Sequence, residues 1–222
     1  MIFQIDESTP YPTFPDPRSG DEDGLFAVGG DLSIDRLLLA YCHGIFPWYS
    51  FRDQPDILWY CPMQRFVIFP EEIHVSHSMR TLINKDQYSY SINEAFDDVI
   101  AQCSKLRIEQ DGAWLGDDMI KAYTELHRQG FASSVEVWED ATDQLVGGLY
   151  GVTIGPVFIG ESMFSLVPSA SKLALIYLAR FMQRKGMKLI DCQLETSHLR
   201  SMGGRFIGYD DYLKIINDDD ES

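Results

Sequence analysis

From Ser133 onward the sequence falls into a period of two, and this stretch narrows the possible folds more than any other. SSVEVWE, QLVGGLYGVTI and PVFIGESMF read as three antiparallel strands turned at 141–143 and at 155–156. A helix is expected over 169–185, stopped by Gly186, then a strand over 188–193, a short helix through Met202 and a last helix around 209–217. Upstream, Ser33 is placed to cap a helix that closes at Gly44. Further helices are expected at 77–85, at 94–106 behind an Asn93 cap and at 117–129 before Gly130. Residues 57–69 read as strands broken at Pro62, and the first 23 residues as an extended, acid-rich arm.

The end of the last predicted strand raises the chemical question. In GMKLIDCQLETSH an apolar run opens onto Asp191, Cys192 and Gln193. The three residues admit three readings: a cysteine nucleophile helped by His198, an acid–amide pair that handles a proton, or a polar strand end. Side chains alternate along a strand, so Asp191 and Gln193 are expected on one face and Cys192 on the other, toward the core. No charged neighbour in sequence favours the thiolate, which counts against the nucleophile. The same alternation pairs Glu161 with Met163 and leaves Ser162 and Phe164 opposite. Glu161 lies inside an apolar strand, where a carboxylate is seldom buried without a partner. The sequence contains no GxSxG, HExxH, Walker or CxxC pattern, and no metal site is expected.

Charge restricts the partners. The 222 residues carry a net −16, which counts against general nucleic-acid binding. Residues 172–205 reverse the sign, with seven bases against two acids. Helical spacing over 169–185 collects Lys172, Arg180 and Arg184 on one side and apolar residues such as Leu175, Leu178 and Met182 on the other. No apolar run reaches the roughly 20 residues of a membrane span, and the start of the chain lacks the pattern of a secretion signal. A cytoplasmic location is therefore expected.

The stretches GLFAVGGDLS (24–33), YCHGIFPWYS (41–50), ILWY-CP--R (57–65), EVWE with LVGGLYGV (136–152), IGESMFS (159–165), ASKLAL (170–175) and LIDCQ--T-HL-S-GG (189–204) together resemble the leucyl/phenylalanyl-tRNA–protein transferase family. The resemblance implies a small N-terminal α+β domain, residues 1–60, followed by a C-terminal domain like the GCN5-related N-acyltransferases, residues 61–222. It implies transfer of Leu or Phe, with Met as a further donor, from aminoacyl-tRNA to proteins or peptides beginning with Arg or Lys, which marks them for degradation. The ester is already activated, so neither metal nor cofactor is expected, and a monomer is expected. Position by position, the resemblance makes Asp191 and Gln193 the proton-handling pair and Glu161 the site acid. Trp48 and Trp114 would hold the terminal adenosine. Leu149, Met163, Leu175, Leu178, Met182 and Ile190 would line the donor pocket. Lys172, Arg180 and Arg184 are the residues expected on the tRNA backbone. Two other readings stand beside this one. RSMGGR is an imperfect form of the pyrophosphate loop of acetyl-coenzyme A N-acetyltransferases, and the basic helix alone would suit a non-catalytic tRNA-binding module.

Overall fold

Two sheets are built in sequence order. The structure, a computed structural model, describes residues 2–6, 12–50, 54–109 and 116–217. The first sheet uses β1 (Phe3–Ile5), β2 (Leu25–Gly29), β3 (Phe46–Ser50) and β4 (Gln54–Tyr60), in the order β1-β2-β4-β3. Helix α1 (Ile34–Cys42) links β2 to β3. Pro62 lies between β4 and β5 (Gln64–Ile68), where the chain passes to the second sheet.

That larger sheet collects β5, β6 (Tyr88–Ile92), β7 (Ala132–Glu139), β8 (Gln144–Ile154), β9 (Val157–Ser165), β10 (Leu189–Asp191) and β11 (Arg205–Gly208) in the order β11-β5-β10-β9-β8-β7-β6. Strands β7, β8 and β9 form the expected antiparallel meander. Helix α5 (Ala170–Lys185) then crosses over to place β10 parallel to β9, since parallel neighbours need a crossover of this length. Helices α2 (His77–Asn84), α3 (Phe96–Glu109), α4 (Asp117–Arg128), α6 (Ser197–Ser201) and α7 (Tyr209–Ile216) complete the fold. It is of the α+β class. No helix among the described residues is long and apolar enough to cross a membrane.

Alternate residues of the central strands feed two cores. Tyr150, Val152, Ile159 and Leu189 pack on one side with α1, α3, α4 and the small sheet. Leu149, Phe158 and Ile190 pack on the other side with α5. This alternation positions everything in the site.

Three local expectations are corrected. Helix α5 is not a simple two-faced helix: all seven residues from Leu173 to Ala179 are buried. It is enclosed over about two turns, and its cations fall toward its ends, Lys172 in the first turn and Arg180 and Arg184 beyond the enclosed stretch. The strand expected over 188–193 closes at Asp191, not at Gln193. The Asn93 side chain caps no helix; its Oδ1 accepts the backbone N–H of Ser134 on β7.

Candidate active site

A cavity of about 470 Å³ opens between β9, β10, α5 and the start of α6. Leu149, Met163, Leu175, Leu178 and Ile190 give it an apolar wall. Asp191, Cys192, Gln193 and Glu161 stand at its polar side, and Trp48, 38% exposed, lines it from β3. Of the residues expected on the donor pocket, Met182 is displaced. It lines a separate small cavity of about 70 Å³, which shares Leu178 and Phe158 with the main one. Met182 lies one helical turn past Leu178, which carries it beyond the wall. Trp114 lies outside the described residues.

Asp191 ends β10 and is completely buried, yet its carboxylate is fully engaged. Arg65 Nε donates to both oxygens at 2.9 Å, and Arg65 Nη2 stands 2.9 Å from Oδ2. The Tyr212 hydroxyl donates to Oδ2 at 2.8 Å and the backbone N–H of Gln193 to Oδ1 at 2.8 Å. Arg65 is itself 1% exposed, held between the rings of Phe46 and Tyr212 with centroids at 4.8 and 5.0 Å. Burial is the largest single influence and would lower the Arg65 pKa. The charge and hydrogen bonds of Asp191, together with Tyr212 and Cys61, outweigh it and leave the guanidinium above its ordinary value. The pair therefore joins β5, β10, the small sheet through Phe46 and α7 through Tyr212. Removing either partner would strand a buried charge.

Gln193 is reached through a tight turn. The N–H of Leu194 donates to the Cys192 carbonyl at 2.7 Å while Gln193 takes φ +62°. This is a γ-turn with positive φ, a strained form for a non-glycine residue. The Asp191 bond to its N–H helps to hold it there. Asp191 and Gln193 are thus coupled by a backbone hydrogen bond, not by strand alternation. Cys192 also lines the cavity while packing partly on the second core, so the alternation did not separate the three residues as expected. Burial, with a further push from Asp191, raises the Cys192 thiol far above its ordinary value, opposite to what a nucleophile needs.

Glu161 owes its position to a β-bulge. In the β8–β9 register Tyr150 faces Ser162 but Gly151 faces Gly160, so Glu161 is the extra residue. A Cβ on Gly151 would fall 2.1 Å from the Ile159 carbonyl, so only glycine fits opposite the bulge. The bulge also overturns the expected pairing of Glu161 with Met163. Glu161 meets Tyr41 and Tyr123 of the first core, whereas Met163 packs on the second. Glu161 as a residue is 7% exposed, and its carboxyl is in contact with the Tyr41 hydroxyl at 2.7 Å, the Tyr123 hydroxyl at 2.9 Å and Gln193 Nε2 at 3.1 Å. Burial pushes it up to about 7, against the opposing pull of the two tyrosine bonds.

Two further polar atoms on cavity-lining residues, Ser162 Oγ and His198 Nε2, find no partner among the described residues. Such atoms are where a water or a ligand's polar group is accepted. Burial and the charge of Lys172 lower the His198 pKa. Arg184 Nη2 donates to the Tyr90 hydroxyl at 3.2 Å, and Arg180 is exposed. Arg65, Tyr41, Tyr123 and Tyr212 received no role from the sequence. Arg65 in QRFVIF carried the same signal as Glu161, a lone charge in an apolar strand.

A sequence profile of the leucyl/phenylalanyl-tRNA protein transferase family matches residues 67–217, and the profile of that family's N-terminal domain matches residues 30–63. The chain belongs to this family. The leucyl/phenylalanyl-tRNA–protein transferase of Flavobacterium johnsoniae is 48% identical over 204 residues, covering 91% of this chain and 94% of that relative. The one from Nitrosomonas eutropha is 47% identical over 216 residues, covering 97% and 90%. Among solved structures, L-PGS from Bacillus licheniformis aligns with 78% of this chain and 54% of its own, at 11% identity and a TM-score of 0.43. The two profiles and the two relatives bear out the resemblance read from the seven stretches. The leucyl/phenylalanyl-tRNA protein transferases are aminoacyltransferases, the enzyme class expected from the sequence.

Proposed function

We propose that this chain transfers Leu or Phe from aminoacyl-tRNA to the α-amino group of proteins beginning with Arg or Lys, marking them for degradation, and that it acts in the cytoplasm as a monomer. The observation that carries the reading is the apolar cavity beside the Asp191–Gln193 turn. A Leu or Phe side chain fits against Leu149, Met163, Leu175, Leu178 and Ile190, and this brings its ester carbonyl toward the polar side.

The chemistry asks for little beyond placement. A free α-amino group titrates at about 7.7–8.0, so the nucleophile is available near neutral pH, and orienting it against an activated ester supplies much of the acceleration. Gln193 donates through Nε2 to Glu161, which fixes its amide and leaves the carbonyl oxygen to accept from the incoming amine. Asp191 acts as the orienting member: its oxygens already take Arg65, Tyr212 and the Gln193 N–H. Trp48 at the cavity edge offers a face to the terminal adenosine, and Trp114 is assigned the same role. Lys172, Arg180 and Arg184 take the tRNA phosphates. On this reading residues 1–60 form the N-terminal domain that brings Tyr41, Phe46 and Trp48 to a catalytic domain of residues 61–222.

The acetyl-coenzyme A alternative loses ground because RSMGGR runs from α6 into β11, a strand, whereas pyrophosphate is bound where a glycine-rich loop opens a helix. Supplying radiolabelled Leu-tRNA and acetyl-coenzyme A in parallel to an Arg-initiated peptide tests the assignment. Label from Leu-tRNA on the peptide N-terminus is expected. Acetylation would replace the reading with an N-acetyltransferase, and tRNA binding without transfer would leave only a binding module.

A further inference from the structure

Tyr41, Tyr123 and Glu161 form a closed ring of contacts. The hydroxyls of Tyr41 and Tyr123 are 2.5 Å apart, Tyr41 lies 2.7 Å from Glu161 Oε1, and Tyr123 lies 2.9 Å from Oε2. A phenol has one proton to donate. Three oxygen–oxygen contacts need three protons, and the two hydroxyls supply two. If Glu161 were ionised, one contact would set lone pair against lone pair inside a site where both tyrosines are fully buried. If Glu161 is protonated, its own O–H donates to one of the two phenols in place of accepting from it, that phenol donates to the other, and every contact has its proton. The surroundings agree. The other charges acting on Glu161 are Asp191, which favours the neutral acid, and Arg65, which opposes it but is already committed to Asp191. Gln193 Nε2 donates to Oε1 in either state.

We propose that Glu161 stands protonated in the free enzyme, closed in a proton ring with Tyr41 and Tyr123, and that this carboxyl is the proton shuttle of the transfer reaction. The proposal rests on the aminoacyl-transfer reading above and assigns the proton work within it. The amine nitrogen attacks the ester carbonyl and the N–C bond forms. The bond from that carbon to the ribose oxygen breaks, and the ribose oxygen takes the Glu161 proton. The nitrogen, positively charged after attack, returns its surplus proton to the carboxylate. One proton leaves Glu161 and one comes back, so the ring closes again for the next turnover. Asp191 takes no proton in this sequence. The ring draws on α1 for Tyr41, α4 for Tyr123 and the β9 bulge for Glu161, so the three hydroxyl-bearing groups meet only when these parts are packed together.

Infrared difference spectroscopy on the full chain reads the proton directly. At pH 6 the wild type should show a protonated-carboxyl C=O stretch that shifts on deuteration and fades as pH rises through about 7. The band should vanish in Glu161→Gln and persist in Asp191→Asn. Its absence from the wild type at pH 6, or its survival unchanged in Glu161→Gln, overturns the proposal. Single-turnover transfer from leucyl-adenosine reads the shuttle. Glu161→Gln should be slower by about 10² or more, the lower end of general acid–base assistance, with donor KM little changed. Tyr123→Phe removes one bond that pulls the Glu161 pKa down, but it also removes the contact that an ionised Glu161 leaves without a proton. The ring predicts that the second effect wins, so that the alkaline limb of the rate profile moves down by about one pH unit or more, and a move up would refute it. A limb that stays in place would reduce the tyrosines to packing and sink the ring. A wild type that transfers Leu without the band refutes the shuttle alone. A wild type that transfers nothing from any donor refutes the transfer reading and the shuttle with it.

Discussion

Replacing Glu161 by Gln should make the protein more stable at neutral pH, and the gain should depend on pH in a defined way. The Glu161 carboxyl is pushed up from 4.5 to about 7, chiefly by burial. Between these values the folded chain keeps a proton that the unfolded chain has lost, so stability falls as pH climbs. The full contribution is present below about 4.5 and is gone once pH has passed about 7. At about 1.4 kcal/mol per pH unit, a rise of this size corresponds to about 3 kcal/mol. Gln is neutral throughout and keeps both a carbonyl acceptor and an N–H donor for Tyr41 and Tyr123. Urea unfolding of both proteins at pH 5.5 and pH 8 measures the difference. Roughly one unit of the interval has passed at pH 5.5, so the advantage of Glu161→Gln should grow by about 2 kcal/mol between the two conditions. An advantage that is equal at both pH values would refute the claim that burial holds Glu161 neutral. One that shrinks would mean that the tyrosine bonds outweigh burial and hold Glu161 ionised.

Arg65→Met should cost about 3–5 kcal/mol in the same unfolding assay, because it leaves Asp191 buried and unpaired; a loss below about 1 kcal/mol would mean that water reaches the pair. Transfer from Val-tRNA should run below transfer from Leu-tRNA by about 1–3 kcal/mol in kcat/KM, since the β-methyl sits beside the reacting carbonyl in an apolar pocket, and equal rates would sink the pocket assignment. Replacing Arg180 and Arg184 together by Gln should flatten the dependence of log Kd for tRNA on log salt by roughly 1.5–2, the slope expected for two lost phosphate contacts. An unchanged slope would move the phosphates to another face.

The meander and its crossover were legible because period-two alternation and the Gly155 and Gly186 stops are local signals; the observed strands and α5 lie within a few residues of the expected bounds. Strands β2 and β11 were not legible. Each is four or five residues long and is defined by its pairing with β4 or β5 rather than by its own pattern. At the site, Asp191, Gln193 and Glu161 stood out as polar residues interrupting apolar runs. Their geometry did not follow from alternation, because one bulge and one γ-turn each shift the phase by a residue, and neither leaves a periodic trace. The tyrosines were hidden for a different reason. Tyr41 and Tyr123 lie 82 residues apart in the chain, and each looks like an ordinary core aromatic until the packing of α1 against α4 brings their hydroxyls together. Arg65 was visible as a lone charge, but its partner lies 126 residues away.

The turn at the end of β10 carries the proposed reaction: Asp191 holds the main chain of Gln193, and Cys192 is assigned no part. Single-turnover transfer from preformed Leu-tRNA to an Arg-initiated peptide, measured side by side for Gln193→Ala, Asp191→Asn and Cys192→Ala, addresses it most directly. Gln193→Ala and Asp191→Asn should each slow the chemical step by about 10² or more, the loss that follows from misplacing the reacting groups by about an ångström. The first loses the amine's acceptor, and the second removes the charge that orders Arg65 and the turn. Cys192→Ala should keep the wild-type rate within a few fold. A folded Cys192→Ala that transfers nothing, beside a working Gln193→Ala, would contradict the account and put the thiol at the centre of the reaction.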